Sequence, residues 1–321
     1  MCGGLSLVGK YLDVILESRN GSMANQEDRL VSDNRVLMER DASTGIARVT
    51  LNNPERRNSY DARMREQLGA YLDELASDDD IKVVLLRGSD GVFSTGADMA
   101  NAYSWYGKRA TGDDGRSRPQ RPSQRRRLAV DRKSFSFYHG FLGYPKAIVA
   151  EVRGFALGGG FEMALMADIS VVASNTMVGM PATRFLGPAL GSLHMFFYRL
   201  GPTLARRLLL TGDTIAAEKL QHLSIFTEVI DDASVEARAE WWARKVARMP
   251  ADGIVIAKEA FRLVEQLQGY QGEEVASYLF HAFGTNLQFE DDEFNFVKTR
   301  AERGTKQAFE LGRAHFQVPE P

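Results

Sequence analysis

The chain has 321 residues, 44% of them hydrophobic, which is long enough for one large domain with an appended region. Its formal net charge of −2 gives no global reason to expect a nucleic acid or an anionic membrane as partner. The single cysteine, Cys2, excludes an intrachain disulfide and gives no sign of an oxidising compartment.

In the opening stretch Lys10 and Asp13 interrupt the short apolar pieces, so it makes a poor signal peptide. No later run approaches the 18 or so uninterrupted apolar residues of a membrane span. Residues 1–34 read as an N-terminal extension or tag, poorly ordered, and the expected location is the cytoplasm.

From Arg35 the text becomes regular. RVLMER (35–40) and IARVTLN (46–52) alternate apolar and polar residues as half-buried strands do, with Thr44-Gly45 as the turn. A helix follows Pro54, with Asp61 near its start and Met64, Leu68, Leu72 and Leu75 at i+4 spacing. KVVLLRG (82–88), AIVAEVRGFALGGG (147–160) and DISVVAS (168–174) are apolar runs without alternation. They predict strands buried on both faces, as in an α/β layer fold. PTLARRLLLTG, TIAAEKLQHL, VEARAEWWARKVARM and IVIAKEAFRLVEQL carry 3.6-period stripes, and a block from Glu273 to Phe316 is also helical but more aromatic. The expected organisation is a strand-rich core over 35–231 and a helical C-terminal region over 232–321.

One segment breaks the pattern. Between Lys108 and Lys133 ten basic residues face three acids, among prolines, glycines and serines. Such a stretch has little apolar surface to bury and predicts a mobile, solvated loop. The functional alternative is an electrostatic lure for phosphates or a nucleic-acid contact.

Two glycine sites carry the chemistry. In FSTGADM, Gly96 allows a sharp turn after a strand and leaves the Ala97 amide free to meet a ligand. In RGFALGGGFEMALMAD, Gly158, Gly159 and Gly160 precede an apolar helix, whose first amides lack internal partners and sit at the positive end of its dipole. If the Ala97 and Gly159 amides converge, a thioester oxygen between them gains two hydrogen bonds that strengthen as it becomes an enolate. Each such donor contributes on the order of 3 kcal/mol in a transition state. Alone, the triplet also suits a phosphate loop or tight packing. It is neither a Walker loop nor a dinucleotide GxGxxG.

Together, in this order and spacing, the two sites resemble the crotonase superfamily, the enoyl-coenzyme A hydratases and isomerases. The matching pieces are VTLNNPERRNSYD (49–61), KVVLLRGSDGVFSTGADM (82–99), PKAIVAEVRGFALGGGFEMALMADISVVAS (145–174), RLLLTGDTIAAEKLQHLSIFTEVI (207–230) and a tail ending AFELGRAHF (308–316). The resemblance spans roughly residues 35 to 316. It implies a spiral of ββα turns with a helical C-terminal region, assembled as a trimer or dimer of trimers, and an acyl-coenzyme A substrate. It places the oxyanion-hole amides on Ala97 and Gly159, and pantetheine and nucleotide contacts near Arg56, Arg57, Thr95 and Asp98. Paired guanidiniums after a proline turn suit a phosphate, although a solvated turn would carry them too.

Glu162 lies on the apolar helix FEMALMAD, where a carboxylate is costly unless paired or functional. The resemblance implies that it holds and activates water; the structural alternative is a helix-start cap. The family's hydratases carry a second glutamate about twenty residues later. Here that segment reads VGMPATRFLG (178–187), and the position falls on Ala182 or Thr183. His194, Tyr138 and His139, together with Tyr103 and Tyr106 beside the insertion, are the candidate replacements for the missing proton carrier.

The expected function is a lyase of fatty-acid type, adding water to a 2-enoyl-coenzyme A. Isomerisation, decarboxylation, C–C hydrolysis and non-catalytic acyl-coenzyme A binding stay open because the second glutamate is replaced. No metal or redox cofactor is expected, coenzyme A arrives on the substrate, and the five histidines form no ligand cluster by spacing.

Overall fold

The computed structural model describes residues 34–99, 109–111, 117–119, 122–186, 193–284 and 289–318. Residues 1–33, Tyr103, Tyr106 and residues 187–192 lie outside the described residues.

Strand β1 (Val36–Asp41) and β2 (Ile46–Leu51) form an antiparallel hairpin. Its turn closes because the Asp41 carboxylate accepts the amides of Ser43 and Thr44, and Gly45 takes a positive φ of 72°. Helix α1 (Ala62–Ala76) starts where Asp61 accepts the Met64 amide at 2.9 Å, and it buries Met64, Leu68, Leu72 and Leu75 as its spacing predicts. Strand β3 (Val83–Gly88) then pairs parallel with β2. A small ribbon, β4 (Arg109–Thr111) and β5 (Ser117–Pro119), precedes α2 (Gln124–Leu142).

Two ββα units follow. Strands β6 (Ala147–Val152) and β7 (Phe155–Leu157) lead into α3 (Gly159–Met166). Strands β8 (Ile169–Ala173) and β9 (Met177–Gly179) lead into α4 (Thr183–Leu186) and α5 (Leu193–Thr211). Strand β10 (Thr214–Ala216), a 3-10 turn (Ala217–Leu223) and β11 (Glu228–Ile230) end this part. The main sheet runs β1-β2-β3-β6-β8-β11 and is parallel except at its first pair; a second sheet runs β10-β9-β7. Most of the side chains of β2, β3 and β6 are buried, which explains their unbroken apolar runs.

The remaining helices are α6 (Val235–Ala247), α7 (Ala251–Glu265), α8 (Gln271–Gly284), α9 (Phe296–Arg303) and α10 (Thr305–Phe316). Helix α6 covers the outer face of the main sheet with Val235, Ala239 and Ala243 against Val83, Val149 and Val171. Helix α8 packs along α2.

Two sequence expectations need correction. TIAAEKLQHL is not a helix: Thr214 and Ile215 are β-branched and pair with Gly179 and Val178, and only a 3-10 turn follows. The basic insertion is not a loop throughout. From Gln124 it is helical, capped by Ser123, because Asp131, Ser134, Phe135 and Tyr138 recur on one buried face that charge counting conceals.

Candidate active site

The turn carrying Arg56 and Arg57 is held to the segment 89–98, which follows β3, by a dense set of bonds. Arg57 and Asn58 take left-handed backbone (φ 53° each), a conformation that costs about 1–3 kcal/mol without support. Fully buried Asn58 supplies that support: its amide donates to the carbonyls of Ser89 and Val92, and its carbonyl accepts from Ser94 Oγ. Thr95 donates its amide to Arg57 O at 3.1 Å. Asp98, buried, accepts from Arg56 with both oxygens at 3.0 and 3.1 Å. Thr95 and Asp98 therefore position the two arginines.

The same loop presents Ala97. Tyr60 and Ala97 form a parallel bridge in which Tyr60 N donates to Gly96 O and Asp98 N donates to Tyr60 O. The Ala97 amide is left out of this pairing and donates to no acceptor among the described residues. Gly96 (φ 82°) backs directly onto the next element: a β-carbon there would stand 2.6 Å from Leu157 O and 3.0 Å from Gly159 N. The loop and the start of α3 thus touch, and only glycine permits it. Gly159 is the first residue of α3, after Gly158 at a φ of 55°, so its amide is one of the unpartnered first-turn donors.

Glu162 stands in the first turn of α3 and is 5% exposed. It lines, with Ala97, Gly159, Arg56, Arg57, Thr95 and Asp98, a single cavity of about 1320 Å³. The expected oxyanion-hole residues, carboxylate and coenzyme contacts, seven in all, therefore line one cavity. The segment with the absent second glutamate is there as well: Ala182 lines the cavity, and Thr183 Oγ1 donates to Met180 O. Neither can carry a proton as a carboxylate does.

Of the candidate replacements, Tyr138 reaches this cavity and His139 and His194 do not. His194 lines a smaller cavity of about 560 Å³, where its amide donates to Glu273 at 2.6 Å. The Tyr138 hydroxyl shares a hydrogen bond with that of Tyr60, and both sit so close over Gly159 that any β-carbon there would overlap them. Burial, with the Tyr60 hydroxyl and the Glu162 carboxylate nearby, raises Tyr138 well above the ordinary tyrosine range. Burial raises Tyr60 too, partly offset by its bond to Tyr138 and reinforced by Glu162. Both hydroxyls therefore stay protonated at neutral pH and act as donors, not bases.

Several residues in or directly behind the lining escaped the sequence reading. Tyr60 follows the arginine pair and carries no motif of its own. Lys298, Lys306 and Arg313 come from α9 and α10, and Arg300 of α9 donates to Met99 O, which fastens this helix to the end of the Ala97 loop. Arg65, Arg127 and His281 also line the cavity; nothing in their spacing singles them out from surface charge.

The enoyl-CoA hydratase/isomerase family profile matches residues 41–306. A probable enoyl-CoA hydratase of Mycobacterium bovis is 29% identical over 79% of this chain and 92% of its own length. A 1,2-epoxyphenylacetyl-CoA isomerase of Escherichia coli is 28% identical over 69% of this chain and 80% of its own. Among solved structures, an enoyl-CoA hydratase/isomerase from Xanthobacter autotrophicus Py2 superposes with a TM-score of 0.75 at 25% identity, covering 88% of this chain and 99% of that one.

Proposed function

The chain belongs to the enoyl-CoA hydratase/isomerase family, and from that premise we propose that it adds water to a 2-enoyl-coenzyme A, or removes it in reverse, with one carboxylate and a tyrosine pair. Acyl-coenzyme A hydratase/isomerase chemistry is the class; hydration with this particular set of residues is the reading. The observation that carries it is the contact between the Gly96-Ala97 turn and the start of α3, with Glu162 one turn further on.

In this reading the thioester oxygen accepts from the Ala97 and Gly159 amides. Water donates a proton to Glu162 and adds its oxygen to the β carbon, and the resulting enolate is stabilised by the two amides. Glu162 then returns the proton to the α carbon, so the carboxylate ends as it began. Tyr138, protonated and backed by Tyr60, donates to the water in the place a second glutamate would occupy. Arg56 and Arg57 take the phosphates of the coenzyme, assisted by the basic side chains of α9 and α10. Coenzyme A arrives on the substrate, and no step calls on a metal or redox cofactor.

The reading extends to assembly and location. Ile256, Phe261, Leu263 and Leu267 are apolar yet more than half exposed on and after α7, which favours self-association as a trimer or dimer of trimers. Among the described residues no helix is long and apolar enough to cross a membrane, and a cytoplasmic location is proposed with it.

The test is crotonyl-coenzyme A hydration, followed by loss of the conjugated thioester absorbance, in wild type and Glu162→Gln. Turnover that falls by a factor of about 10² or more in the variant, with thioester binding retained, supports the reading. Equal turnover in both removes Glu162 from the chemistry. Binding without turnover in wild type moves the protein to another reaction of its family.

A further inference from the structure

The second cavity, of about 560 Å³, lies between the start of α5 and the start of α8. Its volume falls in the range of small-molecule sites, roughly 300–1,000 Å³. Its frame is apolar and aromatic: Leu193, Phe197, Ala276 and Phe280, with the His194 ring stacked on Tyr198 at 5.8 Å and 14°. Glu273, in the first turn of α8, and Ser277, one turn further on, share the face that lines it. Four residues apart, they stand about 6 Å from one another along the helix axis.

Among the described residues Glu273 is the one acid of this cavity, and no lysine or arginine lines it. The segments 187–192 and 285–288, which flank α5 and α8 in the sequence, contain no basic residue either. His194 supplies no countercharge at neutral pH, because burial holds its imidazole below the ordinary histidine range. The partner that Glu273 does have is neutral: it accepts the His194 amide at 2.6 Å, at the start of α5. Burial outweighs that bond. It pushes the Glu273 carboxyl up to about 7, opposed by the His194 and Leu193 amides and reinforced by the charge of Glu162.

Ser277 is the second mark of a site. It is 1% exposed, and its hydroxyl meets no hydrogen-bond partner among the described residues. Even the carbonyl four residues back, which a helical serine ordinarily uses, is not engaged. A buried hydroxyl left unpaired is costly, and a donor brought in by a ligand satisfies it.

We infer that this cavity binds a small organic amine, its ammonium group held by Glu273 and Ser277 and its hydrocarbon body by the aromatic walls. An ammonium carries three donors, so it serves the carboxylate and the hydroxyl oxygen together. Its bond to the carboxylate is charge-assisted, and aromatic faces attract a cation as well. The cation takes the place of the proton that Glu273 otherwise holds. The site is separate from the Glu162 cavity, and the assignment does not depend on the reaction carried out there.

The experiment is a ligand-observed NMR titration of the whole chain with two matched pairs, benzylamine against benzyl alcohol and phenethylamine against phenethyl alcohol. At pH 8 the amines should bind saturably and at least about tenfold more tightly than the alcohols. Between pH 8 and pH 6 amine affinity should fall by about tenfold, as Glu273 takes up its proton, while the alcohols stay level. Glu273→Gln keeps an acceptor for the His194 amide and removes the charge. In that variant the preference for amines should fall toward one and its pH dependence should vanish. Ser277→Ala should weaken amine binding by about threefold or more. Amines that do not saturate, or that bind no better than the alcohols, overturn the inference. A preference that survives Glu273→Gln overturns the assignment to this cavity, and unchanged affinity in Ser277→Ala removes the hydroxyl from it.

Discussion

The hydroxyl groups of Tyr60 and Tyr138 meet over the α carbon of Gly159, the residue whose amide opens helix α3. The two tyrosines come from distant parts of the chain, one from the turn that holds the Ala97 loop and one from α2. Tyr138 lines the cavity, and in the proposed mechanism it takes over the part of the second glutamate. Tyr138→Phe removes the donor that faces the cavity and leaves the ring packing in place. Turnover should fall by about tenfold to a hundredfold, the worth of one hydrogen bond in a dry site, while thioester affinity changes little. Tyr60→Phe acts only through its partner and should cost less. Steady-state kinetics of the two variants checks this; equal losses in kcat would mean that the pair is a packing unit.

Gly159→Ala tests the same junction from the helix side. The new methyl group would overlap both tyrosine oxygens, so the hydroxyl pair or the helix start must move. Overpacking of this kind costs about 1–3 kcal/mol of stability. Displacing one oxyanion donor lowers turnover by a factor on the order of 10². Thermal unfolding and crotonyl-coenzyme A kinetics read the two effects separately. A variant with wild-type turnover would show that Gly159 is kept for packing alone.

Much of this arrangement was legible in the text of the chain. Unalternating runs such as KVVLLRG announce strands buried on both faces, and the glycines of FSTGADM and ALGGG mark where backbone must approach backbone. Glu162 drew notice because a carboxylate on the apolar helix FEMALMAD is costly unless paired or functional. Tyr60 and Tyr138 were harder, since an aromatic at a helical position reads as core until a tertiary contact gives its hydroxyl a partner. Arg65 and Arg127 were hidden for the opposite reason. In RRRLAVDRK a buried arginine differs from its exposed neighbours only by phase, and the charge of the segment argued for solvent. Thr214-Ile215 misled because a single β-strand turn of three residues is too short to show its period against the helical stripe around it.

Asp98 offers a prediction about binding, distinct from chemistry. Its carboxylate holds Arg56 by two hydrogen bonds, and the Arg56 side chain is otherwise half exposed. Asp98→Asn should loosen that guanidinium and raise KM for an acyl-coenzyme A by roughly threefold to tenfold with little change in kcat. The same variant should be indifferent to a short pantetheine thioester, which lacks the nucleotide phosphates. Comparing the two substrates decides whether Arg56 serves the phosphates; an equal rise in KM for both would place it elsewhere along the substrate.

Glu151 links stability to pH. It lies in β6, is 6% exposed, and its Oε2 finds no hydrogen-bond partner among the described residues. Burial pushes its pKa up to about 7, with Arg87 and Arg153 opposing and Glu236 and Glu240 adding to the rise. The folded protein therefore holds this proton more tightly than the unfolded chain does. The stability it contributes is complete below about pH 4.5, where both states are protonated, and is lost as pH climbs toward 7. The full loss is on the order of 3 kcal/mol. Glu151→Gln removes the titration and keeps the shape, so its Tm should gain on wild type by several degrees between pH 5 and pH 8. Paired melting curves across that range test this, and curves that stay parallel would mean that Glu151 ionises in the fold as readily as in water.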